Sequence, residues 1–178
     1  GKTGFQFLNV GTSNLSNITC YGKSKSDIEN GVEGPGNDID LFRVIGTAKV
    51  TMNRCTFAYG RTGLYVAKDG GDRSLNNNYN NIKTTGNSQY GMQVVGCLDS
   101  LIEVTSDSDE VGLFVDGGTP NQITAHVTNA QKTGMILSGV SNVPVTGTFS
   151  DNNQSGGEQQ YDIDVQSDGE KILFYGVT

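Results

Sequence analysis

One short phrase recurs along the chain: an opening glycine or polar residue, then apolar, any, apolar, any, often closed by a glycine. It reads Leu41-Phe42-Arg43-Val44-Ile45-Gly46, Gly63-Leu64-Tyr65-Val66 and Gly91-Met92-Gln93-Val94-Val95-Gly96. It continues as Gly112-Leu113-Phe114-Val115-Asp116-Gly117, Gly134-Met135-Ile136-Leu137-Ser138-Gly139 and Asp162-Ile163-Asp164-Val165, with Gly4-Phe5-Gln6-Phe7 as a first copy. The copies start at residues 41, 63, 91, 112, 134 and 162, so the steps are 22, 28, 21, 22 and 28 residues. A period of this length means that one small unit is built and then stacked.

Each step holds a second apolar alternation after a short turn. These runs include Leu15-x-x-Ile18-x-Cys20, Val50-x-Met52, Ile102-x-Val104, Ile123-x-Ala125-x-Val127, Val143-x-Val145 and Ile172-x-Phe174. Alternation with period two is the strand signature, and Gly, Asn, Asp and Ser between the runs are turn formers. The unit is therefore strand, turn, strand, loop. It is too short for a βαβ unit and about half a propeller blade. The expected arrangement is an all-β solenoid of about seven parallel turns, roughly 30–35 Å long at the usual spacing between strands. Three excursions interrupt it, at Lys23–Asp38, Lys68–Asn80 and Asn152–Gln160. Such insertions tend to gather on the binding side of a solenoid.

Composition fits this reading. Only 34% of the 178 residues are hydrophobic, Gly contributes 25 and Trp none. A compact globule would struggle to fill a core from so little, whereas a stack needs only a thin lining. The net charge of −7, with no long basic run, excludes binding to duplex nucleic acid by phosphate neutralisation and disfavours anionic membranes. No apolar stretch reaches the ~18 residues of a membrane-spanning helix. Cys20, Cys55 and Cys97 match no disulfide framework or zinc spacing and read as buried thiols. Asn14, Asn17 and Asn153 open Asn-x-Ser/Thr triplets of the kind chance supplies in so Asn-rich a chain. The chain opens inside patterned sequence with no signal-peptide pattern, which reads as one domain over 1–178 cut from a longer protein.

The repeated Gly-apolar-x-apolar strand, the Asn-rich turns and the segment Asn142-Val143-Pro144-Val145-Thr146-Gly147-Thr148-Phe149 resemble the right-handed parallel β-helix of the pectate-lyase superfamily. The acidic, Asn-rich texture is most similar to bacteriophage tailspikes and appendages. That resemblance implies a homotrimer in a virion tail or an extracellular setting, no cofactor, and a bacterial surface polysaccharide that is bound and sometimes cleaved. Other readings are a bacterial polysaccharide lyase or glycoside hydrolase, and a shaft or binding rod without activity.

In the repeated strand, Phe42/Val44, Leu64/Val66, Met92/Val94, Leu113/Val115, Met135/Leu137 and Ile163/Val165 point inward. Ile45, Tyr65, Val95, Phe114 and Ile136 then point outward in one strip, which calls for cover by a loop or a second chain. Tyr65, Phe114 and Tyr90 are the candidate sugar-binding aromatics. Glycoside hydrolysis needs two carboxylates about 5–9.5 Å apart. The candidates are Asp116, whose setting between Val95 and Ser138 suits a general acid, and the pair Asp38/Asp40. Asn37-Asp38-Ile39-Asp40 is similar to the first acidic motif of polygalacturonases, but the His-Gly pair and Arg-x-Lys segment of that family are absent. Ser106-Asp107-Ser108-Asp109-Glu110 reads as a solvated acidic turn; it lacks a spaced calcium loop, and no metal is expected. The only histidine, His126, faces outward between Thr124 and Thr128.

Overall fold

The computed structural model describes residues 2–9, 11–22, 38–68, 74–156, 161–166 and 172–178. Most of the first excursion, with Gly34-Pro35-Gly36, and parts of the other two lie outside these residues. The described chain is all-β and forms two parallel sheets of eight strands each. Numbered in chain order, the first sheet runs β1 (Lys2–Leu8), β4 (Ile39–Ile45), β6 (Thr62–Ala67), β9 (Tyr90–Leu98), β11 (Val111–Thr119), β13 (Thr133–Val140) and β15 (Ile163–Val165), with β7 (Ser74–Leu75) also on β9. The second runs β2 (Ser13–Ser16), β5 (Val50–Ala58), β8 (Asn78–Thr85), β10 (Leu101–Asp107), β12 (Gln122–Thr128), β14 (Pro144–Ser150) and β16 (Leu173–Tyr175), with β3 (Thr19–Tyr21) also on β5. The chain passes from one sheet to the other and back, and each strand pairs in parallel with the strand one repeat away.

Register makes the interior. In the first sheet Phe42, Leu64, Met92, Leu113 and Met135 align in one row, and Val44, Val66, Val94, Val115 and Leu137 in the next. All ten are buried. The second sheet answers with Met52, Tyr79, Ile102, Ile123 and Val145. Val, Ile and Phe suit this pleated, one-sided burial. The inward assignment fails only at the last repeat, where Val165 is exposed and β15 is the end strand of the first sheet among the described residues. Most of the exposed large apolar residues likewise sit in the first and last strands, among them Phe5, Leu8, Tyr21, Leu173, Phe174 and Tyr175.

One strand escapes the sequence pattern. Asn78–Thr85 falls partly in the excursion Lys68–Asn80, yet it is β8, and Tyr79 is fully buried. Its inward residues Tyr79 and Ile82 are three apart because Asn81 takes a left-handed φ of 50° and forms a bulge. Arg54 does the same between Met52 and Cys55. A bulge breaks the period of two on which alternation depends.

The turns explain the Gly and Asn content. Tyr59, Gly86, Ser108, Asn129 and Asp151 stand just past strands of the second sheet; in the first, Gly46 stands just past β4, and Gly96, Gly117 and Gly139 lie within the last three residues of β9, β11 and β13; all have φ between 53° and 69°. This region costs an ordinary L-residue about 1–2 kcal/mol; Gly enters it almost freely, and Asn and Asp more readily than other L-residues. Where strands of the first sheet begin, Gly63, Gly91, Gly112 and Gly134 stack because there is no room for a side chain. A Cβ on Gly91 would lie 2.3 Å from Asp109 Oδ2 and 2.7 Å from the Gly112 carbonyl oxygen. All three cysteines are buried.

Gly91→Ala is expected to lower unfolding stability by about 1–3 kcal/mol through overpacking. Gly11→Ala, at an exposed site with open space around it, should change stability by less than about 0.5 kcal/mol. Urea titrations followed by circular dichroism check both; equal effects would contradict the tight stacking at Gly91.

Candidate functional site

The outward face of the first sheet carries the residues that the repeat leaves unexplained. Parallel register aligns Arg43, Tyr65, Gln93, Phe114, Ile136 and Asp164 in one outer row. Ile45, Ala67, Val95, Asp116 and Ser138 form the next. The strip is not laid bare as its sequence suggests. The residues of the first row are all half-buried and Ala67 is buried. Strand spacing of about 4.8 Å lets each large side chain lean on its neighbour in the row. The Arg43 guanidinium carbon lies 4.8 Å from the centre of the Tyr65 ring. Tyr90, at the start of β9, stacks on Phe114 with ring centres 5.2 Å apart and planes inclined by 25°. The three aromatics thus share one face, with Gln93 and Arg43 as its polar partners.

This face runs into a groove of about 450 Å³ at the far ends of the strands, lined by Lys68, Val95, Leu98, Asp116, Thr119 and Ser141. Its floor is the backbone of Gly96, Gly117, Gly118 and Gly139. The groove exists because left-handed glycines lie near the ends of these strands and keep side chains out of the space. Asp116 stands half-buried at its edge and Lys68 is exposed.

The other acidic candidates lie elsewhere. Asp38 is exposed just before β4. Asp40 is buried, and both its oxygens accept from one guanidinium: Arg61 Nε at 2.9 Å and Nη2 at 2.7 Å. Arg43 Nε stands 4.0 Å away. The hydrogen bond to Asp40 is the main cause that raises the Arg61 pKa above its ordinary value. Such a two-pronged pair fixes the start of the strand. Asp40 aligns with Thr62, Thr62 with Tyr90 and Tyr90 with Val111, five residues before Asp116. Three strand spacings and five residues of rise separate Asp40 from Asp116 by about 20 Å. That is well beyond the span of a glycosidase carboxylate pair, so the structure does not bring the two together.

The acid that sequence reasoning missed is Asp109, in the segment expected to be a solvated turn. It is fully buried. Asp107, the last residue of its strand, is exposed, and the left-handed turn at Ser108 (φ 57°) redirects the chain so that Asp109 is buried. Asp109 accepts hydrogen bonds from Thr84 Oγ1 at 2.6 Å, Ser106 Oγ at 2.7 Å, the Asn87 backbone N–H at 2.7 Å and Asn87 Nδ2 at 2.8 Å. None of these donors is a cation. Burial therefore pushes its pKa up from 3.8 to about 6, with the hydroxyl and amide donors opposing the rise. Asn87 Oδ1 in turn accepts the Gly60 N–H, and Asn152 Oδ1 the Ala130 N–H. Residues 60, 87, 109, 130 and 152 thus form an internal column in which a carboxamide or carboxylate caps the backbone of the preceding repeat. The available signal was that Asn87, Asp109 and Asn152 each stand three residues after the last inward residue of a second-sheet strand, Thr84, Ser106 and Phe149.

His126 is exposed on the second sheet, with Nδ1 2.9 Å from Thr148 Oγ1. Among the described residues no group of three or more His, Cys, Asp or Glu side chains is placed to hold a metal ion. The chain matches no protein-family model and no curated protein sequence.

Asp109 yields a pH prediction. Its folded pKa lies above the unfolded value, so its contribution is fully present below about pH 4 and is lost as the pH rises through about 6. An isosteric carboxamide keeps the acceptor that Asn87 uses and, without charge, donates from its Nδ2 to the hydroxyl oxygens of Thr84 and Ser106. Asp109→Asn is expected to leave stability nearly unchanged at pH 4 and to raise it at pH 7 by up to about 3 kcal/mol. Urea unfolding of both proteins across this range checks it; a constant difference would show that burial does not raise the pKa of Asp109.

Proposed function

We propose that the two stacked sheets are a right-handed parallel β-helix of the pectate-lyase type. We further propose that it belongs to a bacteriophage tailspike or appendage and engages a bacterial surface polysaccharide through the outer face of its first sheet. Alternation between two all-parallel sheets supports the helical winding, and parallel crossovers are almost always right-handed. The observation that carries the functional reading is the pairing of Tyr65, Tyr90 and Phe114 on one outer face with a polar groove at its edge. Aromatic rings offer flat apolar area to sugar rings, while amide and charged neighbours orient hydroxyls. The tailspike reading implies a trimer whose contacts leave the aromatic face open. The distance between Asp40 and Asp116, and the engagement of Asp40 by Arg61, favour binding over hydrolysis by these acids.

An array of bacterial capsular and lipopolysaccharide glycans tests the reading, and at least one polymer is expected to bind. Tyr65→Ala and Phe114→Ala should each weaken that binding about tenfold, in line with the loss of an aromatic contact. Light scattering is expected to give three times the 18.9 kDa chain mass. A monomer that binds no glycan would overturn the proposal.

A further inference from the structure

Asn87, Asp109 and Asn152 each cap the preceding repeat from one place in the internal column, and of the three only Asp109 can titrate. A carboxamide there caps without charge, so the acid adds one property, the capacity to take up and release a proton. Its two oxygens are not equivalent. Oδ1 faces the backbone N–H and the Nδ2 of Asn87, which only donate. Oδ2 faces the hydroxyls of Thr84 and Ser106, which can turn from donor to acceptor. The proton therefore belongs on Oδ2, where it leaves both bonds from Asn87 in place. The elements packed around Asp109 supply no compensating charge. Lys83, Glu103, Asp107 and His126 on β8, β10 and β12 are exposed. Tyr90 stacks on Phe114, and Cys97 and Asp116 lie toward the far ends of β9 and β11. Glu110 pairs with Lys132.

We propose that the corner made by residues 86–89 and 108–110 is a proton-operated latch, closed while Asp109 carries a proton on Oδ2 and opened locally when that proton leaves. Ionisation leaves a fully buried carboxylate among uncharged donors, and water reaches it only if the corner moves. Gly91 packs against Oδ2 on one side, so the strand that it opens gives no room. The corner is the part able to move. The bonds that hold it include Ser88 N–H to the Gly60 carbonyl at 2.9 Å and Glu110 N–H to the Asn87 carbonyl at 3.0 Å. The strands on either side belong to continuous ladders. A segment of this kind opens without unfolding the rest. Asn87 passes the change on in two directions. Its Oδ1 caps the Gly60 N–H at 2.9 Å in the preceding repeat. On the outside it borders a groove of about 420 Å³ together with Ser88, Glu110, Gln131 and Lys132. Loss of one buried proton thus reshapes an exposed corner, and the middle of the rod is tight in acid and pliant near neutrality. This device holds whether or not the chain engages a glycan.

The test is amide hydrogen exchange of the full chain by NMR at pH 5 and pH 7.5, corrected for intrinsic exchange rates. With a carboxyl that titrates near 6, protection of the Asn87 and Gly60 amides is expected to fall about tenfold between the two. The Ala130 amide is capped in the same way by the uncharged Asn152 and should keep its protection. In Asp109→Asn the Asn87 amide should stay protected at both pH values. A measurement on the unmodified chain stands beside the variant: the carbon-13 signal of the Asp109 carboxyl should titrate over the range in which the Asn87 amide loses protection. Equal protection of Asn87 at the two pH values, an equal fall at Ala130, a carboxyl signal that does not move in this range, or a fall that persists in Asp109→Asn would each overturn the latch.

Discussion

In-register parallel pairing is the constraint on which the rest of this molecule depends. It sets each residue directly against its counterpart one repeat away, at the same depth and on the same face. A side chain must therefore suit a copy of its own environment about 4.8 Å above and below. Valine over valine, Leu64 over Met92 and glycine over glycine satisfy that demand. Because burial comes from neighbours in a row, a chain with 34% hydrophobic residues can still line its interior.

The same constraint shapes the polar interior. A turn that recurs at one place in every repeat presents the same backbone N–H each time, and a buried donor needs a partner. Asn87 and Asn152 meet that need without charge, while Asp109 meets it with a carboxylate. The acids therefore divide by location. Asp109 and Asp40 are buried and engaged in holding strand ends, whereas Asp116 stands at a groove and takes part in no ion pair among the described residues.

Much of this was legible in the sequence. The repeated phrase located the strands of the first sheet, and alternation assigned the inward rows correctly from Phe42 to Leu137. What alternation could not reach was any place where the period of two is broken. Strand β8 was hidden because its bulge at Asn81 sets Tyr79 and Ile82 three apart, and because its inward Thr84 is polar. Asp109 was misread because a charged residue between Ser108 and Glu110 looks solvated until register puts it beneath Thr84 and Asn87. The outer strip read as bare apolar surface because alternation gives direction but not how far large side chains shelter one another. The Asp40–Arg61 pair joins residues 21 apart and is visible only once the repeats are superposed.

Alternation along each strand of the first sheet also divides labour between odd and even residues. Leu64 and Val66 belong to the scaffold, while Tyr65 between them belongs to the display. Changing Gln93 or Ser138 alters what the surroundings meet and leaves the inner rows untouched. A lineage built this way can rewrite its surface one codon at a time on an unchanged frame, as a printer resets letters within a fixed line.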